Sequence, residues 1–269
     1  MTTRVKTSVQ VISMVTAQRR RQQFSATAEN AEIDWEFFSA LRLPAEPLAY
    51  DEGLAVRRFG RPLKPGEIGC YASHFAVWQA FLDSPATQLI VFEDDVIVDW
   101  QAIQTLARQD LAAHGIDVLK LFATHPIDAK VVKYKLLSDH SHLLRLRGYT
   151  YGTQGYMLSK RAAQALIEHS KVMYMPVDWA MSRYWDYGLP NYASFPFPLF
   201  ERQGQSSIEH SQSAPVSATP LSAAARFAWK LSDRMKRFRF DFATNDRSQF
   251  GPPSDAGQAF LTDASSGTR

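Results

Sequence analysis

A single cysteine, Cys70, stands in this chain of 269 residues, so no intrachain disulfide can form and a zinc site of four cysteines is excluded. Long apolar runs are missing too. Nothing approaches the roughly 20 residues that cross a bilayer. The apolar stretch from Val9 to Val15 is broken by Gln10 and Ser13, then meets Arg19-Arg20-Arg21. No small-residue cleavage site follows it, so the N-terminus is read as carrying no signal peptide, and a cytoplasmic protein is expected. Disorder is excluded by a 45% hydrophobic and 21% charged composition, and 13 Gly with 14 Pro exclude a collagen-like chain. The length suits one large α/β domain with an appendage, or two small domains.

Net charge is also scarce, at +3, but it is unevenly placed. Between Ser222 and Phe240, six basic residues (Arg226, Lys230, Arg234, Lys236, Arg237, Arg239) meet one acid, Asp233, which gives +5 there and −2 over the rest. Phe227, Leu231, Met235, Phe238 and Phe242 recur at helical spacing, and Arg226, Lys230, Arg234 and Arg237 run one position ahead of them. A basic amphipathic helix over 223–244 suits an anionic membrane surface: apolar burial at the interface adds to attraction for the headgroups. It equally suits a helix docked on its own domain with solvated arginines, because amphipathicity does not say what the apolar face meets. Nucleic acid is not an expected partner, since the rest of the chain offers no supporting basic surface.

Residues 1–210 alternate short apolar runs with longer amphipathic segments, the pattern of an α/β domain with a doubly wound, mixed and mostly parallel sheet. Residues 211–222 are small, polar and proline-bearing, and read as a linker. The basic helix follows, and 245–269 reads as a disordered tail. Within the domain, strands are expected at Val9–Met14, Ile33–Phe38, Leu89–Phe92 and Asp117–Ala123. Helices are expected after Thr16, from Pro65 (with Ile68, Ala72, Phe75, Trp78 and Leu82 on one face), and after an N-capping Ser159.

The most informative stretch is LIVFEDDVIV at 89–98. A continuous apolar run marks a strand buried on both faces. It delivers Glu93, Asp94 and Asp95 at its carboxyl end, where open α/β sheets place their ligands. In an extended chain Glu93 and Asp95 project to one side, roughly 6.5–7 Å apart. That span suits oxygen ligation of magnesium or manganese. Three adjacent acids repel one another, and a cation shared with a diphosphate would relieve the repulsion and stabilise a departing nucleoside diphosphate. The triplet alone equally suits a phosphohydrolase, a nuclease or a solvated acidic turn.

The surroundings narrow the choice. Val11-Ile12-Ser13-Met14 with Arg19-Arg20, PGEIGCYASH at 65–74, FEDD at 92–95, GTQGYMLSKRAA at 152–163, Pro176-Val177-Asp178 and Gln205-Ser206-Ser207-Ile208 occur in that order between residues 9 and 210. Together they resemble glycosyltransferase family 25, the family of bacterial lipooligosaccharide and collagen galactosyltransferases. The resemblance implies a GT-A-like fold, a UDP-hexose donor, a divalent metal (Mn2+ or Mg2+) and transfer with inversion. It makes Glu93-Asp94-Asp95 the counterpart of the family's Asp-x-Asp motif, with Asp95 and Glu93 as metal ligands and Glu93 and Asp94 also on the donor. His210 would complete the metal shell. One departure is visible: Phe38-Ser39-Ala40 stands where the family often has Phe-Asp-Ala.

Inverting transfer needs one base and no covalent nucleophile. Asp178 is the candidate, with Glu201 and Asp186 as weaker alternatives; its other reading is a helix N-cap. Ser13 and Arg20 follow the first strand and are read as donor contacts, Arg20 through its fork of donors to diphosphate oxygens. Arg19 is a weaker candidate, and three arginines in a row equally describe a solvated face. Gly152, Gly155 and Tyr156 are read as donor-binding residues, glycines permitting close approach ahead of a helix start, or else as a tight turn. Ser73, His74, Ser206 and Ser207 are supporting residues. Cys70 and His74 stand four apart, as a nucleophile or metal pair would, but no third member is visible and Cys70 reads as a small buried hydrophobe. Trp179, Tyr184, Trp185 and Tyr187 would stack on acceptor sugars or pack in the core.

The expectation is a metal-dependent hexosyltransferase, moving galactose from a UDP-sugar to a lipooligosaccharide or lipopolysaccharide acceptor at the inner face of the cytoplasmic membrane. Two rivals remain: a metal-dependent nucleotide-sugar phosphohydrolase, and a non-catalytic membrane-associated relative.

Overall fold

The computed structural model describes residues 5–125, 127–202, 220–244, 246–251, 253 and 261. Its centre is an eight-stranded mixed sheet. In chain order the strands are β1 (Thr7–Ser13), β2 (Glu36–Ser39), β3 (Gln88–Glu93), β4 (Val118–Lys120), β5 (Ala129–Tyr134), β6 (His142–Leu146), β7 (Gly155–Ser159) and β8 (Asn191–Phe195). Their spatial order is β2-β1-β3-β7-β4-β8-β6-β5. The pairs β1/β2, β1/β3 and β4/β8 are parallel. β7 runs antiparallel between β3 and β4, and β6 pairs antiparallel with both β8 and β5.

Alternation along β3 shows why the sheet is covered on both faces. Leu89 and Val91 enter one apolar cluster with Tyr71, Trp78, Ala162 and Leu166, while Ile90 and Phe92 enter another with Phe24, Trp100 and Ile103. The first cluster belongs to helices α2 (Pro65–Asp83) and α4 (Lys160–His169), the second to α1 (Gln18–Thr27) and α3 (Trp100–Ala107). Each fully buried Leu, Val or Phe here contributes roughly 1.5–3 kcal/mol. α2 is buried on more than the single expected face: Tyr71, Ser73, His74, Val77 and Phe81 are also inside. Ser159 caps α4 as the sequence indicates, its Oγ accepting from Ala162 N at 3.1 Å.

The carboxyl ends of β1, β2, β3 and β4 and the amino end of β7 meet at one edge of the sheet. Register fixes this, because Ile12 pairs with Glu93, Phe92 with Gly155 and Lys120 with Tyr156. Ser13, Ser39, Glu93 and Lys120 are therefore delivered together.

Two readings of the C-terminal region change. Helix α5 spans Val177–Ser182, and a long helix α6 spans Pro220–Ala243, so α6 begins inside the expected linker; 211–219 lie outside the described residues. α6 turns its polar side inward. Asp233 is buried and accepts from Arg183 at 2.7 Å, Tyr149 Oη at 3.0 Å and Trp185 Nε1 at 3.0 Å. Asp241 accepts from Tyr184 Oη at 2.9 Å and pairs with the buried Arg145 at 3.4 Å. The apolar stripe faces outward: Phe227 and Phe238 are each 70% exposed and Phe242 85%. Two ion-paired arginines on the domain outcompete the apolar stripe for the inner face, because they would otherwise be buried charges without partners. Much of the expected tail lies outside the described residues, but its described part is ordered against the domain. Phe250 and Leu261 are buried, and Leu261 N donates to Leu136 O at 2.7 Å.

Candidate active site

The delivering edge opens into a cleft of about 330 Å3, lined by Ser13, Arg20, Arg42, Cys70, His74 and the acidic triplet among others. A larger cleft of about 630 Å3, beside Lys6, Glu32, Asp34 and Arg108, lies at the amino end of β1, opposite the edge where open α/β sheets bind ligands. The smaller cleft is thus the site the topology favours.

Each acid of the triplet has a different environment. Asp94 is buried; Ser13 Oγ donates to its Oδ2 at 2.6 Å and Arg20 lies 3.3 Å from Oδ1. Burial raises its carboxyl above the usual aspartate value, although Ser13 and Arg20 pull the other way. Thr153 Oγ1 donates to Glu93 Oε1 at 2.6 Å, and His74 Nε2 lies 3.7 Å from the same oxygen. Burial pushes Glu93 up, but His74, Thr153 and the Lys120 charge together outweigh it and hold the carboxyl below its ordinary value. Asp95 is pushed up to about 7 by burial and by the charges of Glu93, Asp94 and Glu201. Its Oδ1 is buried with no hydrogen-bond partner among the described residues.

An orphaned carboxylate oxygen among three further acids, facing a cleft, fits a divalent cation. Asp95 and Glu93 are the residues that would hold it. Glu201 is exposed, and Asp95 senses its charge. His210, Ser206 and Ser207 lie outside the described residues.

Several expected roles are revised. Tyr156 is fully buried: Trp78 Nε1 donates to its Oη at 2.9 Å, and His74 Nδ1 lies 2.7 Å from it. It supports His74 and is not among the residues that line the cleft. Gly155 opens β7, where a Cβ would clash with Leu199 Cδ1, so its smallness serves packing. The following helix starts at Lys160, beyond Ser159 at the opposite end of β7, so its free N–H groups are remote from the acids. Gly152 keeps a site position: at φ +94° it needs glycine, and its N–H donates to Asp178 Oδ2 at 3.1 Å. Ser73 lines the cleft, accepting from Leu41 N at 2.8 Å and donating to Gly69 O at 2.7 Å. Tyr184, Trp185 and Tyr187 are buried core residues, whereas Trp179 is half-buried between Phe59, Tyr149 and Tyr151. Asp186 is committed to Arg183 and Lys236 beside α6.

Asp178 is not the N-cap of α5; Pro176 holds that position. Asp178 receives the Gly152 N–H and, at Oδ1, the Trp179 N–H at 2.9 Å. Burial raises its carboxyl above the ordinary value, partly offset by the Gly152 bond and the Lys120 charge.

Two residues escaped the sequence reading. Lys120 ends β4 fully inside the protein, its Nζ donating to Gly152 O, and burial lowers it to about 8. Its charge lies between Glu93 and Asp178, and the only signal was a lysine closing an apolar run. Arg21 donates to Ser13 Oγ at 3.1 Å and Ser13 O at 3.0 Å, its guanidinium 4.7 Å from the Phe37 ring centre. Arg20 and Arg21 therefore both serve the end of β1 rather than a solvated face.

The fold and cleft define an α/β protein whose acids and arginines converge at the ligand-binding edge of its sheet. Residues 6–181 match the model of glycosyltransferase family 25 (LPS biosynthesis protein), and the chain belongs to this family. It is 30% identical over 198 residues to the lacto-N-neotetraose biosynthesis glycosyltransferase LgtE of Neisseria meningitidis, covering 68% of this chain and 69% of LgtE. It is 26% identical over 164 residues to the lipooligosaccharide biosynthesis protein lic2B of Haemophilus influenzae, covering 59% and 62%. It is also 26% identical over 180 residues to procollagen galactosyltransferase 1 of Danio rerio, covering 62% of this chain and 30% of that protein. The chain thus spans less than two thirds of the lic2B protein's length and under a third of the fish enzyme's. A solved glycosyltransferase involved in glycosylating the major capsid of PBCV-1 aligns over 61% of this chain and 65% of its own, at 12% identity and a TM-score of 0.32.

Proposed function

We propose that the protein transfers a hexose, galactose in the first instance, from a UDP-sugar to a lipooligosaccharide or lipopolysaccharide acceptor. The observation that carries this reading is the orphaned Asp95 carboxylate beside Glu93 and Asp94, in a cleft that also holds Ser13 and Arg20. Family membership and the names of the bacterial relatives support it. In a GT-A-like arrangement Arg20 binds diphosphate oxygens, while Asp94, held by Ser13, fixes the donor end of the cleft. Asp95 and Glu93 would hold a manganese or magnesium ion, which would supply neutralisation of the diphosphate charge. The acceptor hydroxyl attacks the anomeric carbon from the face opposite the diphosphate and its proton passes to Asp178. The bond to the diphosphate oxygen breaks, and UDP leaves with the electron pair. Gly152 and Lys120 hold the Asp178 carboxylate for this task.

Asp178→Asn is expected to lower kcat by about 10²–10⁴ while leaving the binding of UDP with manganese intact. The assay follows UDP release from UDP-galactose with and without purified lipooligosaccharide. Release at full rate without acceptor would favour a phosphohydrolase, and wild-type rates in the variant would remove Asp178 from the role of base.

The outward stripe of α6 supports docking on an anionic membrane, at the inner face of the cytoplasmic membrane. Phe227, Phe238 and Phe242 are exposed, and Lys230, Arg234, Lys236 and Arg239 are exposed around them. Among the described residues no helix is long and apolar enough to cross a membrane. Sedimentation with phosphatidylglycerol vesicles should weaken about 10-fold or more for each of Phe227→Ser and Phe238→Ser, and should fall with added salt. Equal binding by the variants would mean that this face does not enter the bilayer.

A further inference from the structure

Cys70 and His74 lie one helical turn apart on α2, and the fold supplies the third member that the sequence did not reveal. Cys70 Sγ, a His74 ring nitrogen and a Glu93 carboxylate oxygen all lie within 4.8 Å of one another. His74 is 1% exposed, and its Nε2 is buried with no hydrogen-bond partner among the described residues, 3.7 Å from Glu93 Oε1. All three residues line the same cleft. A tetrahedral site with thiolate, imidazole and carboxylate ligands at 2.0–2.3 Å requires ligand atoms roughly 3.3–3.8 Å apart, so the His74–Glu93 separation already matches. The other ring nitrogen is held by Tyr156, itself fixed by Trp78. Orienting the imidazole through its second nitrogen is the usual support for a metal-bound histidine.

We propose that Cys70, His74 and Glu93 form a binding site for a thiophilic divalent cation, zinc by its chemistry, distinct in its ligand set from the Asp95 site. A soft sulfur with one imidazole selects zinc over magnesium or manganese, which take oxygen ligands. Glu93 is common to both ligand sets, so zinc here would draw it from Asp95 and oppose transfer. That consequence rests on the transferase reading; the site itself does not.

The test is titration of the full chain, freed of metal, with cobalt(II) as an optical probe for zinc. The chain has one cysteine, so any thiolate-to-cobalt absorption in the near ultraviolet reports on Cys70 alone. The expected result is such a band, saturating at one equivalent at micromolar cobalt and abolished by equimolar zinc. His74→Gln and Glu93→Gln, each confirmed folded by circular dichroism, should weaken cobalt binding at least about 10-fold, and Asp95→Asn should retain the band. Absence of the band in the wild type, or its persistence at full strength in both His74→Gln and Glu93→Gln, overturns the proposal. A transferase that fails the band test leaves the Asp95 site standing, and a protein that shows the band without binding UDP leaves this one standing.

Discussion

Replacing Asp233 with alanine is expected to destabilise the protein by about 3–5 kcal/mol, a fall in melting temperature on the order of 10 °C for a chain of this size. The reason is specific. Asp233 receives three donors at once, from Arg183, Tyr149 and Trp185, and Arg183 is 5% exposed. Asp186 would retain part of the guanidinium, but the indole N–H and the phenol would lose their acceptor. A buried donor left unpaired bears the full desolvation penalty. Met235→Ala, on the outward stripe of α6, should change stability by less than about 0.5 kcal/mol. Thermal unfolding of both variants reads the contrast. Equal effects would mean that α6 is not seated through its polar side.

Asp95→Asn is expected to reduce sugar transfer by about 10²–10³, the usual loss when one preorganised charge at a developing anion is removed. UDP release from UDP-galactose in the presence of lipooligosaccharide measures it. The same substitution should make the metal-free protein more stable at pH 8. Asp95 is raised to about 7 in the folded state, by burial first and then by its acidic neighbours. A group raised in this way contributes stability below its unfolded value of about 3.9, and that contribution is lost as the pH rises through about 7. Asparagine carries no such loss, so wild type and variant should converge toward pH 4, separate between about pH 4 and 7 and keep a constant difference above that. Opposite changes in activity and stability would mark Asp95 as a residue kept for ligand binding at the expense of the fold.

The residues that proved legible in the sequence are those whose chemistry depends on local spacing. A continuous apolar run ending in Glu93-Asp94-Asp95 announces a buried strand that delivers acids to a sheet edge. Ser159 announces its own cap. Ser13 and Arg20 are legible as residues that follow β1, and the structure sets both against Asp94. What failed depended on pairing between distant strands. The GTQGYMLS segment looks like a loop before a helix start, yet its second half is β7, held antiparallel between β3 and β4, which turns Tyr156 into the core. Lys120 was missed because its partners, Gly152, Asp178 and Glu93, come together only through the sheet. For α6 the sequence left two partners for the apolar stripe open, a membrane surface or the domain itself. The helix's amphipathic pattern was plain, but the direction of the apolar stripe was decided by Arg145 and Arg183, which lie 96 and 50 residues away from Asp241 and Asp233.

The melting temperature with UDP, with and without manganese, on the wild type and on Asp95→Asn, tests the central claim most directly. A ligand at about 100 times its dissociation constant adds roughly 2.7 kcal/mol to stability, which is a readable rise. A rise is expected in the wild type that needs both UDP and manganese and is absent in the variant. No rise in the folded wild type with both ligands saturating, or an equal rise in the variant, would contradict it.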